Sequence, residues 1–171
     1  SIGTGDTTGG VALSGVETVT INVTDSAGGT VTVNNIPTDV ASVAVNGANA
    51  AVAATVTAAG QSLSTNNSTI GGNASTFTFG AVSSQSATGG AAGDTFNTIA
   101  VDGITAVGGG GDDTFNVTNV AAFDNDSTAI TITGGAGTDS LVFANALTLA
   151  VDLSDTENVV TGVETINVGT V

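Results

Sequence analysis

Short stretches in which apolar and polar residues alternate recur along the whole chain, at 17–23, 30–33, 40–45, 76–79 and 129–133. Alternation with a period of two places apolar side chains on one face of a β-strand and polar ones on the other. Each run is bounded by Gly, Asn or Asp, which favour turns. The pattern therefore predicts an all-β chain of many short strands.

Only one stretch has a composition that suits a helix, the Ala-rich segment 48–59. It contains Thr55-Val56-Thr57 and no helix-capping pattern, and β-branched residues favour strands. The rest of the chain is rich in Thr, Val, Ile, Gly, Ser and Asn, with three Glu, two Gln and no Lys, Arg or Met. This composition favours strands over helices throughout.

The turn signals are regularly spaced. Gly-Gly pairs begin at residues 9, 28, 71, 89, 108 and 134, and Asn46-Gly47 fills the gap between the second and the third. Four of the six steps are nearly equal, and the steps to 71 and to 134 are longer. Such a period predicts a parallel β-solenoid or β-roll with rungs of about 18–19 residues, each with two short strands and two turns. An antiparallel β-sandwich is the alternative.

We interpret residues 1–171 as a single elongated β domain. Residues 1–88 hold only four of the fifteen carboxylates and are predicted to form carboxylate-poor rungs, whereas 89–171 form acidic ones. No linker separates the two parts. Because the sequence opens at Ser1, we expect it to be an excerpt of a longer chain.

The composition excludes whole classes of function. The chain has no Lys, Arg, His, Cys, Met, Trp or Tyr, and its formal charge is −15. Nucleophilic sites built on imidazole, thiol or amine groups are therefore ruled out, and so is the neutralisation of nucleic-acid phosphates. A glycosidase normally has aromatic side chains on which the sugar stacks, and the absence of Trp and Tyr argues against that class. We expect a protein that is not an enzyme, binds no nucleic acid and does not insert directly into a membrane.

Three segments share one nine-residue template, G-G-x-G-x-D-x-U-x, in which U is a large apolar residue. Residues 108–116 and 134–142 match it fully, and 89–97 match it with Ala92 in place of the fourth Gly. Residues 71–79 are in register but carry Thr76 where the Asp is expected. This template resembles the haemolysin-type (RTX) calcium-binding repeats of secreted toxins, proteases and bacterial surface-layer proteins.

The resemblance implies Ca²⁺ as the bound ion. It assigns Asp94, Asp113 and Asp139 as carboxylate ligands, and Phe96, Phe115 and Leu141 as core anchors. Further ligands expected at the same sites are the backbone carbonyls of Gly89, Gly90, Gly108, Gly109, Gly134 and Gly135. Additional candidate carboxylates are Asp112, Asp124 and Asp126.

The chain also departs from the family pattern. The template occurs once per rung, so calcium is expected on one edge only, and the long step from Gly108 to Gly134 places the pairing of Asp113 with Asp139 in question. Two carboxylates about 5 Å apart repel by roughly 3 kcal/mol at an effective dielectric constant of about 20. No basic side chain relieves this repulsion. The alternative is that these Asp residues occupy ordinary Gly-Asp turns that face water.

Two other repeated features are less regular. Thr-x-Thr pairs begin at residues 18, 30, 55, 76 and 131, and their uneven spacing predicts no single regular face. Gly-Val-Glu-Thr occurs at 15–18 and 162–165, and its Glu is interpreted as an exposed strand residue.

Together these features indicate an extracellular structural protein at the cell surface. We expect a surface-layer or matrix-fibre subunit that is stabilised by calcium and assembles with copies of itself through exposed strands or rungs. Cell-surface glycans are a second class of partner. The lack of Lys and Arg leaves trypsin-like proteases no cleavage site. The alternative is a calcium-triggered folding module of a larger secreted adhesin of RTX type.

Overall fold

The computed structural model describes residues 18–23, 29–33, 42–47, 52–57, 62–66, 73–122, 129–144 and 158–169. These residues form fourteen β-strands and one short 3-10 helix at Val120–Ala122. The chain is therefore all-β in its described part, as the alternating pattern predicts.

The strands belong to two seven-stranded sheets. The first sheet contains β1 (Thr18–Val23), β3 (Ser42–Gly47), β5 (Ser62–Asn66), β7 (Gln85–Thr88), β9 (Ile104–Gly110), β11 (Thr131–Ala136) and β13 (Val159–Thr161). The second contains β2 (Gly29–Val33), β4 (Val52–Thr57), β6 (Thr76–Thr78), β8 (Thr95–Ile99), β10 (Thr114–Val117), β12 (Ser140–Phe143) and β14 (Thr165–Val168). We call them the odd sheet and the even sheet.

Consecutive strands lie in different sheets, and each strand pairs with the strands two positions before and after it. All twelve pairings of the described strands are parallel. An antiparallel sandwich would instead place strands of opposite direction side by side, so that alternative is wrong. Parallel pairing follows from this alternation between sheets. Between two neighbouring strands of one sheet the chain crosses to the other sheet and back, so both strands run in the same direction.

The repeat length is less uniform than the Gly-Gly spacing predicts. In the centre of the even sheet, Thr76 pairs with Thr95 and Thr95 pairs with Thr114, so the chain returns there at the predicted interval. The next pairings in that sheet, Thr114 with Ser140 and Ser140 with Thr165, span longer intervals. The predicted repeat length therefore holds only in the centre, and longer connections, such as 118–130 between β10 and β11, account for the difference.

The core lies between the two sheets and is built from columns of like side chains. Phe77, Phe96, Phe115 and Leu141 occupy equivalent register positions of β6, β8, β10 and β12, and all four are fully buried. The Phe77 and Phe96 ring centroids are 5.1 Å apart, and those of Phe96 and Phe115 are 4.8 Å apart in a stacked arrangement. From the odd sheet, Ala87, Ala106 and Ile132 complete the same core. The anchoring role implied for the U position is thereby confirmed as core packing.

The Ala-rich candidate helix is a strand. Residues 52–57 form β4, which pairs with β2 and β6. The β-branched residues of this segment suit a strand, and its neighbours supply the hydrogen bonds. Nowhere in the described residues is there a helix of sufficient length and apolarity to cross a membrane.

We expect the substitution Phe96→Ala to lower the free energy of unfolding by about 3–5 kcal/mol, because it leaves a cavity between two buried rings. The control is Thr105→Ala on the exposed side of β9, which should cost less than about 1 kcal/mol. Urea denaturation followed by circular dichroism measures both. Equal midpoints for the two variants would contradict the stacked-ring core.

Candidate metal centre

The three Asp residues of the nonapeptide template come together in the folded chain. Asp94, Asp113 and Asp139 directly precede β8, β10 and β12, and the register of these strands places them side by side. Each is at most 1 % exposed to solvent. The long step from Gly108 to Gly134 does not separate Asp113 from Asp139, because the extra residues lie in the connection between β10 and β11.

A ladder of hydrogen bonds links these carboxylates. The backbone N–H of Asp94 donates to Oδ1 of Asp113 at 2.6 Å, and the N–H of Asp113 donates to Oδ1 of Asp139 at 2.8 Å. At one end, the N–H of Ser75 donates to Oδ1 of Asp94 at 2.5 Å. Each acid thus accepts a backbone N–H from the residue before the preceding strand of the even sheet, which fixes the orientation of its carboxylate.

Glu164 continues the ladder at the other end, where the N–H of Asp139 donates to its Oε2 at 2.8 Å. We call Asp94, Asp113, Asp139 and Glu164 the acidic column. Glu164 is exposed, as interpreted from the sequence, but it lies directly before β14 rather than in it, and its carboxylate accepts a hydrogen bond. A sequence signal was present, because the pattern acid-Thr-apolar-Asn occurs at 94–97, 113–116 and 164–167.

The second carboxylate oxygens differ along the column. Oδ2 of Asp94 accepts the backbone N–H of Gly90 at 2.6 Å. Oδ2 of Asp113 and Oδ2 of Asp139 are buried and have no hydrogen-bond partner. A buried acceptor without a partner is costly, and more so when it is charged. These two atoms therefore require either a proton or a cation.

Glycines of the template let these oxygens pack closely against the backbone of the turns. A Cβ on Gly108 would overlap Oδ2 of Asp113 and would lie 2.5 Å from the carbonyl oxygen of Gly134. A Cβ on Gly134 would overlap Oδ2 of Asp139 and the carbonyl oxygen of Gly162. Only glycine allows a carboxylate oxygen and a carbonyl oxygen of the next turn to approach the same backbone position this closely.

The electrostatics of the column favour neutralisation. Burial is the main cause that raises the pKa of Asp113 to about 7; the charges of Asp94, Asp139 and Asp112 act in the same direction, and the hydrogen bond from Asp94 opposes them. Burial also raises the pKa of Asp94, against the hydrogen bonds from Ser75 and Gly90. The chain has no Lys, Arg or His that could offset these charges.

Not every predicted ligand joins the column. Asp112 is exposed, and its Oδ1 accepts the backbone N–H of Thr138 at 2.9 Å. The carbonyl of Gly90 accepts the N–H of Gly110 at 2.9 Å. Asp124 and Asp126 lie outside the described residues. Within the described ranges, no three or more Asp or Glu side chains converge on one point as a ready-made metal cluster.

The remaining predicted carbonyls lie beside glycines of the adjacent turn. The oxygens of Gly89 and Gly90 lie beside Gly109, and the oxygen of Gly109 lies beside Gly135. The oxygen of Gly108 lies beside Gly89. These carbonyl oxygens therefore lie between one template turn and the next.

The carbonyl oxygen of Gly134, a predicted ligand, lies beside Gly108 together with Oδ2 of Asp113. The carbonyl oxygen of Gly162, which was not predicted, lies beside Gly134 together with Oδ2 of Asp139. The predicted carbonyl oxygen of Gly135 lies beside Gly162.

Comparisons with protein-family models, with curated proteins and with solved structures give no match to this chain. The resemblance to RTX repeats therefore depends on the nonapeptide template alone.

The substitution Gly108→Ala should destabilise the fold by about 1–3 kcal/mol, because the added methyl group would overlap Asp113 Oδ2 and crowd the carbonyl of Gly134. Gly110→Ala is the matched control, since a Cβ there meets no atom closer than 3.6 Å. Thermal denaturation of the two variants measures the difference. An equal loss of stability in the two variants would contradict the close contact of Gly108 with Asp113 Oδ2 and the carbonyl oxygen of Gly134.

In the absence of divalent cations, stability should fall as the pH rises from about 4 to about 7. Asp113 has a folded pKa of about 7 against 3.8 in a free Asp, so the folded chain retains a proton that the unfolded chain has already released. One such group changes the free energy of unfolding by up to about 1.4 kcal/mol per pH unit. Urea titrations in EDTA across this range, compared with Asp113→Asn, measure the slope. A slope that is unchanged in the variant would contradict this assignment.

Proposed function

We propose that this chain is a calcium-stabilised β-solenoid that serves as an extracellular structural subunit of a surface layer or matrix fibre. The observation that carries the proposal is the pair of buried, unpartnered carboxylate oxygens of Asp113 and Asp139 in a chain without a basic side chain. The solenoid is supported by the alternation of strands between two parallel sheets.

The donor set beside these oxygens fits calcium. Ca²⁺ prefers carboxylate and carbonyl oxygens together with water, and tolerates irregular geometry. Asp113 with the carbonyl of Gly134, and Asp139 with the carbonyl of Gly162, would each hold one ion, and water would complete the coordination. Bound calcium would supply the positive charge that lets neighbouring carboxylates stay ionised at close range. Asp94 is left out, because Gly90 already donates to its Oδ2.

We also propose an extracellular location, on the basis of the same calcium chemistry. Calcium is abundant outside cells and scarce inside them, so a fold that needs it would be stable only after export. The structural role, without catalysis, is supported by the side-chain inventory and by the ends of the two sheets. On β13 and β14, the side chains of Val159, Ile166 and Val168 are 43–50 % exposed, although positions deeper in the sheets that match Ile166 and Val168 are buried. Such edge strands favour pairing with further strands.

The alternative, a calcium-triggered folding module of a larger secreted adhesin, is favoured by the same buried carboxylates, since they penalise folding without the ion. The two functions differ in assembly. A structural subunit associates with its own copies once calcium is bound, whereas a folding module remains a calcium-dependent monomer.

We expect the wild-type chain to bind two calcium ions, one for each unpartnered oxygen, and Asp113→Asn to bind one fewer. At about 100 times its dissociation constant, each ion should add about 2.7 kcal/mol to the free energy of unfolding. Equilibrium dialysis and thermal denaturation with calcium or EGTA measure both quantities. Asp102→Asn is the control, because it removes the same charge from a connection that leads from the even to the odd sheet.

A proton is the alternative to calcium at these carboxylate oxygens, and the same variants distinguish the proton from the ion. The amide of Asn donates a hydrogen bond as a protonated Asp does, so with a proton in place Asp113→Asn would keep its stability and the wild type would ignore calcium. Light scattering at increasing protein concentration then tests the structural role. Calcium-dependent folding without association would support the folding module instead.

A further inference from the structure

The described strands of this acidic protein contain no charged side chain. None of the fourteen described strands contains an Asp or Glu, although the chain carries fifteen of them and no basic residue. All the carboxylates therefore lie outside these strands. Two copies that approach by the turns that flank the sheets bring like charges together, while an approach by the strand surfaces does not.

The outward surface of the even sheet is also periodic. Thr76, Thr95, Thr114, Ser140 and Thr165 occupy one register position of β6, β8, β10, β12 and β14 and are half-buried, on the side opposite the buried Phe column. We call these five residues the hydroxyl face. The backbone register continues through Thr55 and Thr32 of β4 and β2. The irregular spacing of Thr-x-Thr in the sequence concealed this alignment, because connections of different length separate the strands.

A second column beside the hydroxyl face is held in place by side-chain hydrogen bonding. Nδ2 of Asn116 donates to Oδ1 of Asn97 at 2.8 Å, on the strands that carry Thr114 and Thr95. This second column continues with Val142 of β12 and Asn167 of β14.

The odd sheet also carries outward hydroxyl residues, and the hydroxyl of Thr161 donates to Oγ1 of Thr133 at 3.4 Å, but each of its two described outward columns contains a valine, Val159 or Val107. Among the described side chains, only the hydroxyl face is an outward column without an apolar member.

We propose that the hydroxyl face docks against the hydroxyl face of a second copy of this chain. Both faces have the same repeat along the sheet, about 4.8 Å per strand, so contact made at one strand is repeated at the next. Hydroxyl and amide columns on flat parallel sheets interdigitate in dry sheet-to-sheet interfaces. The contact adds no charge to the interior of the dimer, whereas contact through the acidic turns would.

The size of the face sets the strength of the contact. The whole even sheet, with seven strands about 4.8 Å apart and each about four residues wide, spans roughly 30 Å by 13 Å, or about 400 Å², and the hydroxyl face lies on five of these strands. A standard specific interface buries about 800 Å² on each partner. The dimer is therefore weak and concentration-dependent. A two-fold contact of this kind closes on itself, and growth into a fibre needs a second contact such as the open edge strands.

This inference rests on the proposed self-associating structural role, and matched charge variants test it. Thr95→Asp with Thr114→Asp places two carboxylates on the hydroxyl face. Thr105→Asp with Thr131→Asp places the same two charges at paired positions on the outward side of the odd sheet. Sedimentation equilibrium from micromolar to millimolar protein in calcium should show dimers for the wild type and the odd-sheet variant and monomers for the hydroxyl-face variant.

Each other outcome has a defined meaning. If both variants dimerise like the wild type, or both become monomers, the hydroxyl face is not the interface, while the proposed structural role stands. If the wild type is monomeric at every concentration, the self-association on which both proposals depend is absent. Circular dichroism verifies that each variant is folded.

A second measurement keeps the test decisive if the hydroxyl-face variant fails to fold. The chain has no cysteine, so Thr114→Cys and Thr105→Cys each introduce a single thiol. A bis-maleimide linker long enough to span two facing sheets should join copies through position 114 and leave position 105 unlinked. Equal linking at both positions would overturn the proposal.

Discussion

Parallel, in-register pairing places every side chain beside the equivalent side chain of the next strand in its sheet. For apolar residues the arrangement is favourable, because Phe77, Phe96 and Phe115 stack into one buried column. For Asp94, Asp113 and Asp139 the same arrangement brings like charges together in a buried position. The core and the acidic column are thus two consequences of one constraint, one stabilising and the other in need of compensation.

Hydrogen bonds within the protein compensate only in part for the burial of these carboxylates. Backbone N–H groups satisfy one oxygen of each acid, and Gly90 satisfies the second oxygen of Asp94. The corresponding oxygens of Asp113 and Asp139 receive nothing. The difference follows from the template, since the turn that precedes Asp94 has Ala92 where the turns before Asp113 and Asp139 have Gly111 and Gly137, both at positive φ. A residue with a Cβ disfavours that backbone conformation, so the first turn closes differently.

The distribution of charge has a second consequence. Because the described strands carry no charge, the two sheets present neutral surfaces, and the acids of the described residues lie outside the strands. Strand surfaces of this kind tolerate close approach by another sheet, whereas the turns tolerate it only when cations are present. The proposed calcium binding and self-association are therefore linked through one electrostatic property of the chain, even though they concern different surfaces.

Much of this architecture is predictable from residue patterns, and the remainder is not. Alternation located strands such as β1 and β11 to within a few residues, because period two is a local property. The template identified Asp94, Asp113 and Asp139, because Gly and Asp are required at fixed offsets within one turn. The pairing of β10 with β12 across a long connection, the part taken by Glu164 and the alignment of the Thr residues were decided only by the tertiary structure. Register between strands depends on contacts between residues far apart in the sequence, across connections of unequal length, and no local pattern contains that information.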